Sequence, residues 1–523
     1  MVHAKHRMAA LIAIGVAGLL MSGCTTPSTG TESGSTVTDT IRSTLSADPT
    51  TFDPARVTAL DDYRAARLMF DTVVRRDDDN KLVGGLAESW TQTASQIVLT
   101  IRDDATCGDG TVITPTIVGN SIARLADPAT KSNMAGLIFG GPGVTVTSDD
   151  AAGTVTVDLA KPYSELLVGL TTPAAGIVCP GGLEDVEGLS KGTVDAAVSG
   201  PYTLAQAKPG VEYNFALREK YAAWPEYATP LKGKPANTLS FAVGVDPTTG
   251  ANQLITGEMQ LALVPTQDLG RFKGNDNFAI SSVPLGDVFI VFNQSEGSPF
   301  TDEKLRRAVA QVVDQKAIQA TLNPAADLLN SAGDPDLQCV NSDSSLLVQQ
   351  DLEAAKKVLD GVTIKLVGTN GLGVNGSPNV YVQERLLAAG AVVEFENIDN
   401  GAWVTRVLGS DVQAWDMTVF ASINNVGTLV TDMSRVIGPA LEDGGRNMSR
   451  SVNPEGEAAY AAALAADTPE AKCAAYQEAQ ESMLNRVDMV PLVTNPLNMV
   501  TGGNVELRSP GGREDLSTLR IIE

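Results

Sequence analysis

The sequence predicts an α/β protein built as more than one lobe, and three observations carry that expectation. The chain has 523 residues, 43% hydrophobic and 19% charged, the balance of a globular protein, and at roughly 100–200 residues per domain it has room for two or three lobes. From residue 302 onward, segments of helical periodicity alternate with short apolar runs of β character, the order expected of parallel strands under helices. Between 197 and 290 there are several strand-like runs, among them "EYNFALRE", "TLSFAVG" and "DVFIVFN".

The first element is a leader. Residues 1–8 carry Lys5 and Arg7, and residues 9–21, "AALIAIGVAGLLM", are apolar but shorter than the about 20 residues that span a bilayer. A charged start, an apolar middle and small residues at the end make an export signal. It closes on Met21-Ser22-Gly23-Cys24, which resembles a bacterial lipobox with Met where the consensus has Leu. That resemblance implies cleavage before Cys24, lipidation of Cys24, and a stable hold on the outer face of the cytoplasmic membrane once two acyl chains are attached. Residues 24–39 continue as a Ser, Thr and Gly-rich flexible tether. No later apolar run approaches the roughly 18 residues of a second span.

Removing residues 1–23 discards His3 and His6, the only two histidines in the chain. Ser-His-Asp and Cys-His catalysis, histidine general bases and histidine-ligated metals are then excluded, and the expectation is a protein without cofactor or metal that is not an enzyme. The formal charge is −24, and without Lys5 and Arg7 the remainder has 36 basic against 62 acidic side chains. Such a surface is a poor match for nucleic acid or anionic lipid. Apart from Cys24, the cysteines are Cys107, Cys179, Cys339 and Cys473. In an exported, oxidising setting they allow three disulfide pairings, and none has the spacing of a zinc site.

Along the mature chain, "TVTDTIRSTLS" (36–46) alternates like a strand. Residues 59–70 have helical spacing, with Leu60, Tyr63, Ala66, Leu68 and Phe70 apolar, and "RRDDDN" (75–80) reads as a turn. "QIVLTIRDDATCGDG" is a strand and a turn; "TPTIVGNSIARLAD" opens with a Thr114 cap and Pro115, then runs as a helix. "GVTVTSDDAAGTVTVDL" reads as a β-hairpin. After 302 come a helix over 302–322, a helix "VQQDLEAAKKVLD", strand "VTIKLVG", helix "NVYVQERLLAAG", strand "AVVEFEN", helix "GAWVTRVLG" and strand "WDMTVFA". A late helix, "PEAKCAAYQEAQESMLNRV", precedes "MVPLVTN".

Two chemical motifs fail on inspection. Gly371-Leu372-Gly373-Val374-Asn375-Gly376 follows a strand and imitates a dinucleotide fingerprint. A dinucleotide helix should start inside the glycines, whereas Ser377-Pro378 places its first turn after them, as in a loop of an ordinary βαβ unit. Acid pairs such as Asp61-Asp62 and Asp149-Asp150 are read as solvated rather than catalytic.

The order of several stretches resembles the family 5 extracellular solute-binding proteins of ABC importers, the peptide, opine and nickel group. These are "TFDPA" (51–55), "LAESW" (86–90), "DGT" (109–111) before a Thr-Pro helix, "SGPYTL" (199–204), "VFIVFNQSEGSPFTDEKLRRAVAQVVDQKAI" (288–318), "RLLAAGAVVEFE" with "WDMTVFA", and residues 453–492. The resemblance implies a type II (cluster C) periplasmic-binding-protein-like α/β fold, two lobes on a hinge with an extra subdomain. Lobe 1 is placed at 40–285 with the subdomain about 63–196, lobe 2 at 286–489, and a return to lobe 1 at 490–523, with crossings near 285 and 490. The pairing Cys107–Cys179 and Cys339–Cys473 is favoured because each bridge then stays within one lobe. The implied function is a lipid-anchored, monomeric receptor that closes on a peptide or peptide-like solute and delivers it to a permease and ATPase. Peptide binders of the family carry an aspartate that meets the peptide's amine; here "ASINNVGT" (421–428) has Asn424 and Asn425 instead, which accept hydrogen bonds but neutralise nothing. A blocked peptide, an opine or a glycan-derived solute is the alternative cargo, and an envelope hydrolase using paired carboxylates is the alternative function. Trp403, Trp415, Ser422, Asn424 and Asn425 are expected on one side of the cleft, with Tyr63 or the "TFDP" loop opposite.

Overall fold

The computed structural model describes residues 39–522; the leader, Cys24 and the tether up to residue 38 lie outside the described residues. Three larger sheets organise the rest. In the first, strand Thr40–Leu45 pairs in parallel with Thr238–Val243, which continues antiparallel to Glu212–Leu217 and Tyr202–Lys208. The second is the antiparallel order Ala87–Gln92, Gln96–Ile101, Thr154–Leu159, Val144–Asp149. Its hairpin is the one read from "GVTVTSDDAAGTVTVDL". Helix Pro115–Ala126 packs on it, and the Thr114 hydroxyl accepts the Ile117 N–H at its start, which is why this helix begins where the sequence indicates.

The third sheet has six strands, in the order Leu261–Leu263, Met489–Gly502, Phe278–Phe292, Met417–Ile423, Thr363–Thr369, Val392–Ile398. Strand Phe278–Phe292 pairs antiparallel with Met489–Gly502 from Phe278 opposite Gly502 to Val291 opposite Met489, with a register shift between Pro284 and Gly286. The extra residue of a bulge bends a strand and re-aims its side chains. Gly286 is required there, because a Cβ at that position would lie 1.7 Å from the Ser422 carbonyl oxygen of the neighbouring strand. Residues 285 and 490, where the crossings are expected, both sit on this pair.

The predicted βαβ order is present: Thr363–Thr369 and Val392–Ile398 are parallel neighbours connected by helix Ser377–Ala388. That helix starts after Gly376, so its N-terminus is outside the glycine motif. Aliphatic residues Val288, Ile290, Ile364, Leu366, Val382 and Leu386 form the core between these strands and helices. Cys107–Cys179 and Cys339–Cys473 are disulfides, with Cα atoms 6.0 and 4.6 Å apart, and the favoured pairing is the one formed.

Two expectations need correction. The helix over 302–322 is two helices, Glu303–Val312 and Gln315–Leu322. Asp314 breaks it: its carboxylate accepts the Lys316 N–H at 2.9 Å while the Tyr381 hydroxyl takes the Asp314 N–H at 3.0 Å, so it caps a new helix rather than continuing the old one. Asp61 and Asp62 are not solvated but buried, Asp62 completely. Asp149 and Asp150 are exposed, as read.

Candidate functional site

A cavity of about 100 Å³ is lined by segments far apart in sequence: 60–76, 171–173, 283–285, 424–426, Leu497 and 510–516. One wall starts from helix Leu60–Met69. Its N-terminus is anchored by Asp62, whose carboxylate accepts the N–H groups of Thr50 (2.7 Å), Thr58 (2.9 Å) and Ala59 (3.0 Å). Burial opposes ionisation of Asp62, but these bonds outweigh it and hold the carboxyl below its ordinary pKa. The helix then brings Tyr63, Arg64 and Arg67 to the cavity, and strand Val74–Arg76 adds Arg75 and Arg76.

Three of these arginines are paired. Arg64 binds Glu514 through Nε and Nη2 at 2.9 Å and Asp61 through Nη1 at 3.1 Å. Arg75 bridges Asp71 at 2.6 Å and Asp515 at 3.0 Å, and Arg67 approaches Asp515 at 3.7 Å. Burial works against the charge on Arg75, yet Asp515 and Asp71 hold its pKa above the ordinary value. Arg67 is less well served: burial and the neighbouring Arg75 charge bring it down to about 10. Arg76 and Arg513 differ from all three. Among the described residues neither has a carboxylate within ion-pair distance. Arg76 donates to the Asn80 side chain (2.7 Å), the Val426 carbonyl (2.5 Å) and Thr171. Arg513 donates to the Pro284 carbonyl at 2.7 Å.

The other wall carries no charge at its surface. The bulged strand supplies Val283, Pro284 and Leu285, and the loop after strand Met417–Ile423 supplies Asn424, Asn425 and Val426. Asn424 is buried and knots this loop: its Oδ1 accepts the Gly427 N–H at 2.8 Å, and its Nδ2 donates to the Thr428 carbonyl at 3.0 Å and to Asp432 at 2.9 Å. Behind the loop Asp432, Asp287 and Asp334 are buried together. Burial, then the charges of Asp432 and Asp334, push Asp287 well above the usual carboxylate range. Burial brings Asp432 itself up to about 6, with Ser422, Arg435 and Asp287 pulling the other way.

Of the residues expected at the site, Tyr63, Asn424 and Asn425 line this cavity together, and Asn425 approaches the Tyr63 hydroxyl. Trp403, Trp415 and Ser422 do not line it. Trp403 stacks on Phe420, ring centroids 5.4 Å apart, and donates to Thr418 at 3.0 Å. Trp415 is fully buried in the core. Ser422 lies behind the wall beside Asp432. In the "TFDP" loop Asp53 pairs with Arg124, and the loop supplies no lining residue. The arginines were missed. The available signal was density: Arg64, Arg67, Arg75 and Arg76 fall within thirteen residues of an acidic chain.

Comparison with known proteins shows where this architecture occurs. The family described as bacterial extracellular solute-binding proteins, family 5 Middle, matches residues 81–434, more than half of the chain. The glutathione-binding protein GsiB of Escherichia coli K12 is 24% identical over 322 residues, 61% of this chain and 58% of its own length. The chain therefore aligns with less than two thirds of that relative. A substrate-binding protein of Microbacterium hydrocarbonoxydans, solved with 4-hydroxybenzoate hydrazide, is 39% identical with a TM-score of 0.80, covering 92% of this chain and all of that one. The murein tripeptide binding protein MppA of Escherichia coli superposes with a TM-score of 0.73 at 18% identity, over 93% of this chain and 99% of its own. The fold is that of the type II periplasmic binding proteins.

Proposed function

The chain belongs to the bacterial extracellular solute-binding proteins of family 5, and from that membership we propose that it is the exported, lipid-anchored receptor of an ABC importer. It takes a solute between its two lobes and hands it to a permease and its ATPase. It binds and releases without covalent chemistry. The observation that carries this reading is the cavity itself, assembled from both ends and the middle of the chain around a few polar groups, the form of a ligand site rather than of a catalytic constellation.

The expected peptide-like cargo narrows to a compact one. A cavity of about 100 Å³ suits a small solute better than an extended peptide. A compact aromatic hydrazide occupies the Microbacterium neighbour. Leu60, Tyr63, Val283, Leu285 and Leu497 would hold the apolar body, and Asn425 would orient it.

Thermal unfolding of the mature protein against a panel of small aromatic acids, amides and hydrazides, opines and di- or tripeptides tests the reading. A true ligand at a hundredfold excess over Kd adds about 2.7 kcal/mol of stability. A panel in which tripeptides stabilise and no compact solute does would sink the compact-cargo reading. For the anchor, Cys24→Ser should release the protein from the membrane fraction; continued membrane association would count against lipidation at Cys24.

A further inference from the structure

Arg76 and Arg513 are cations placed against neutral partners. Arg76 is held by two carbonyls, an amide and a hydroxyl. Arg513 uses one nitrogen on the Pro284 carbonyl, while its Nε is buried with no partner among the described residues. The two groups converge: a Cβ built on Gly427 would lie 3.0 Å from Arg513 Nε and 3.1 Å from Arg76 Nη2. Neighbouring like charges, one with an unused donor, are costly in a protein interior unless something compensates them. The buried carboxyl groups Asp287, Asp334 and Asp432 interact with Arg513 only at longer range. None of the three comes within ion-pair distance of Arg513 or accepts a hydrogen bond from it. Elsewhere on the same wall each arginine has an acidic partner.

Resting on the receptor reading above, we propose that the cavity is built for a solute carrying one carboxylate, which docks on Arg513 and Arg76 while its apolar body lies against Tyr63 and Leu285. A carboxylate supplies both the missing charge and the acceptor for Arg513 Nε, and a guanidinium fork matches its two oxygens. Arg76 is brought down to about 10 by burial and by Arg513, as expected of a cation whose counter-charge arrives with the ligand.

The test is calorimetric titration of the full mature protein with matched pairs of probes: 4-hydroxybenzoate against 4-hydroxybenzamide, and further small monocarboxylates against their amides. The acids should bind at least about tenfold tighter than the amides, and Arg513→Gln should weaken the acids more than the amides, so that the ratio falls below about threefold. Amides or hydrazides that bind as tightly as the acids would overturn the carboxylate proposal and leave the compact-solute receptor intact. If neither member of any pair binds, the compact-solute reading falls and this proposal with it. Should Arg513→Gln not fold, the acid-to-amide ratio in the unaltered protein decides alone.

Discussion

One wall of the cavity presents guanidinium and carboxylate groups at its surface. The opposite wall presents proline, aliphatic side chains and amides, and keeps its three aspartates buried behind them. The first wall is rigidified by ion pairs between remote segments, Arg64 with Glu514 and Arg75 with Asp71 and Asp515. The second is shaped by backbone geometry, the bulge at Pro284/Gly286 and the Asn424-knotted loop. On the first, buried ions face opposite charges at contact distance. On the second, burial and neighbouring carboxylates push Asp287 well above the usual carboxylate range. The same residue type is thus shifted down, as at Asp515, or up, as at Asp287, according to what is packed around it.

The comparison can be broken most severely at Arg75. Arg75→Met leaves Asp71 buried without its ion-pair partner and Asp515 with Arg67 alone, and should cost about 3–5 kcal/mol in denaturant unfolding; a loss below about 1 kcal/mol would mean that the ionic wall contributes little rigidity. Next is Gly427, whose φ of 69° is left-handed. Gly427→Ala should cost about 1–2 kcal/mol for the backbone alone, and its Cβ would press on both unpaired guanidinium groups. Gly427→Asn should lose less, since asparagine tolerates that region better.

The third prediction concerns pH. Asp432 sits among Asp287, Asp334, Arg435 and Arg513, with its pKa brought up to about 6 from an ordinary 3.8. An acid that binds its proton more tightly when folded contributes stability that is complete below about pH 4 and is lost as pH rises through about 6. Asp432→Asn removes that dependence, so its stability relative to the unaltered protein should improve by about 1 kcal/mol between pH 5 and 7. A difference that is flat or of opposite slope would show Asp432 ionised throughout. The smallest effect is at Asn425. Asn425→Ala should leave stability within about 0.5 kcal/mol and weaken a bound solute by about fivefold, one neutral hydrogen bond. Unchanged affinity would remove Asn425 from the site.

Much of the molecule could be read residue by residue. The Thr114–Pro115 helix start, the hairpin over 144–159 and the βαβ unit around Ser377–Ala388 depend on caps, turns and periodicity within a few residues. So does the rejection of the glycine motif. The site was legible in part: Tyr63, Asn424 and Asn425 reach the cavity, while Trp403 and Trp415 pack in the core. Whether a tryptophan is a platform or a core residue depends on the elements that cover it, and those are distant in the chain.

Element order and the α/β class were therefore determined by the sequence, because propensity, capping and spacing act locally, whereas the cysteines allowed three pairings and the one formed was favoured only through the lobes that the family resemblance implied. The burial of Asp61 and Asp62, the pairing of Arg75 with a residue 440 positions away, the upward shift of Asp287 and the neutral hydrogen-bond partners of Arg76 and Arg513 came only from assembly. A side chain's charge is written in the sequence, but its solvation and its partners are set by which surfaces meet.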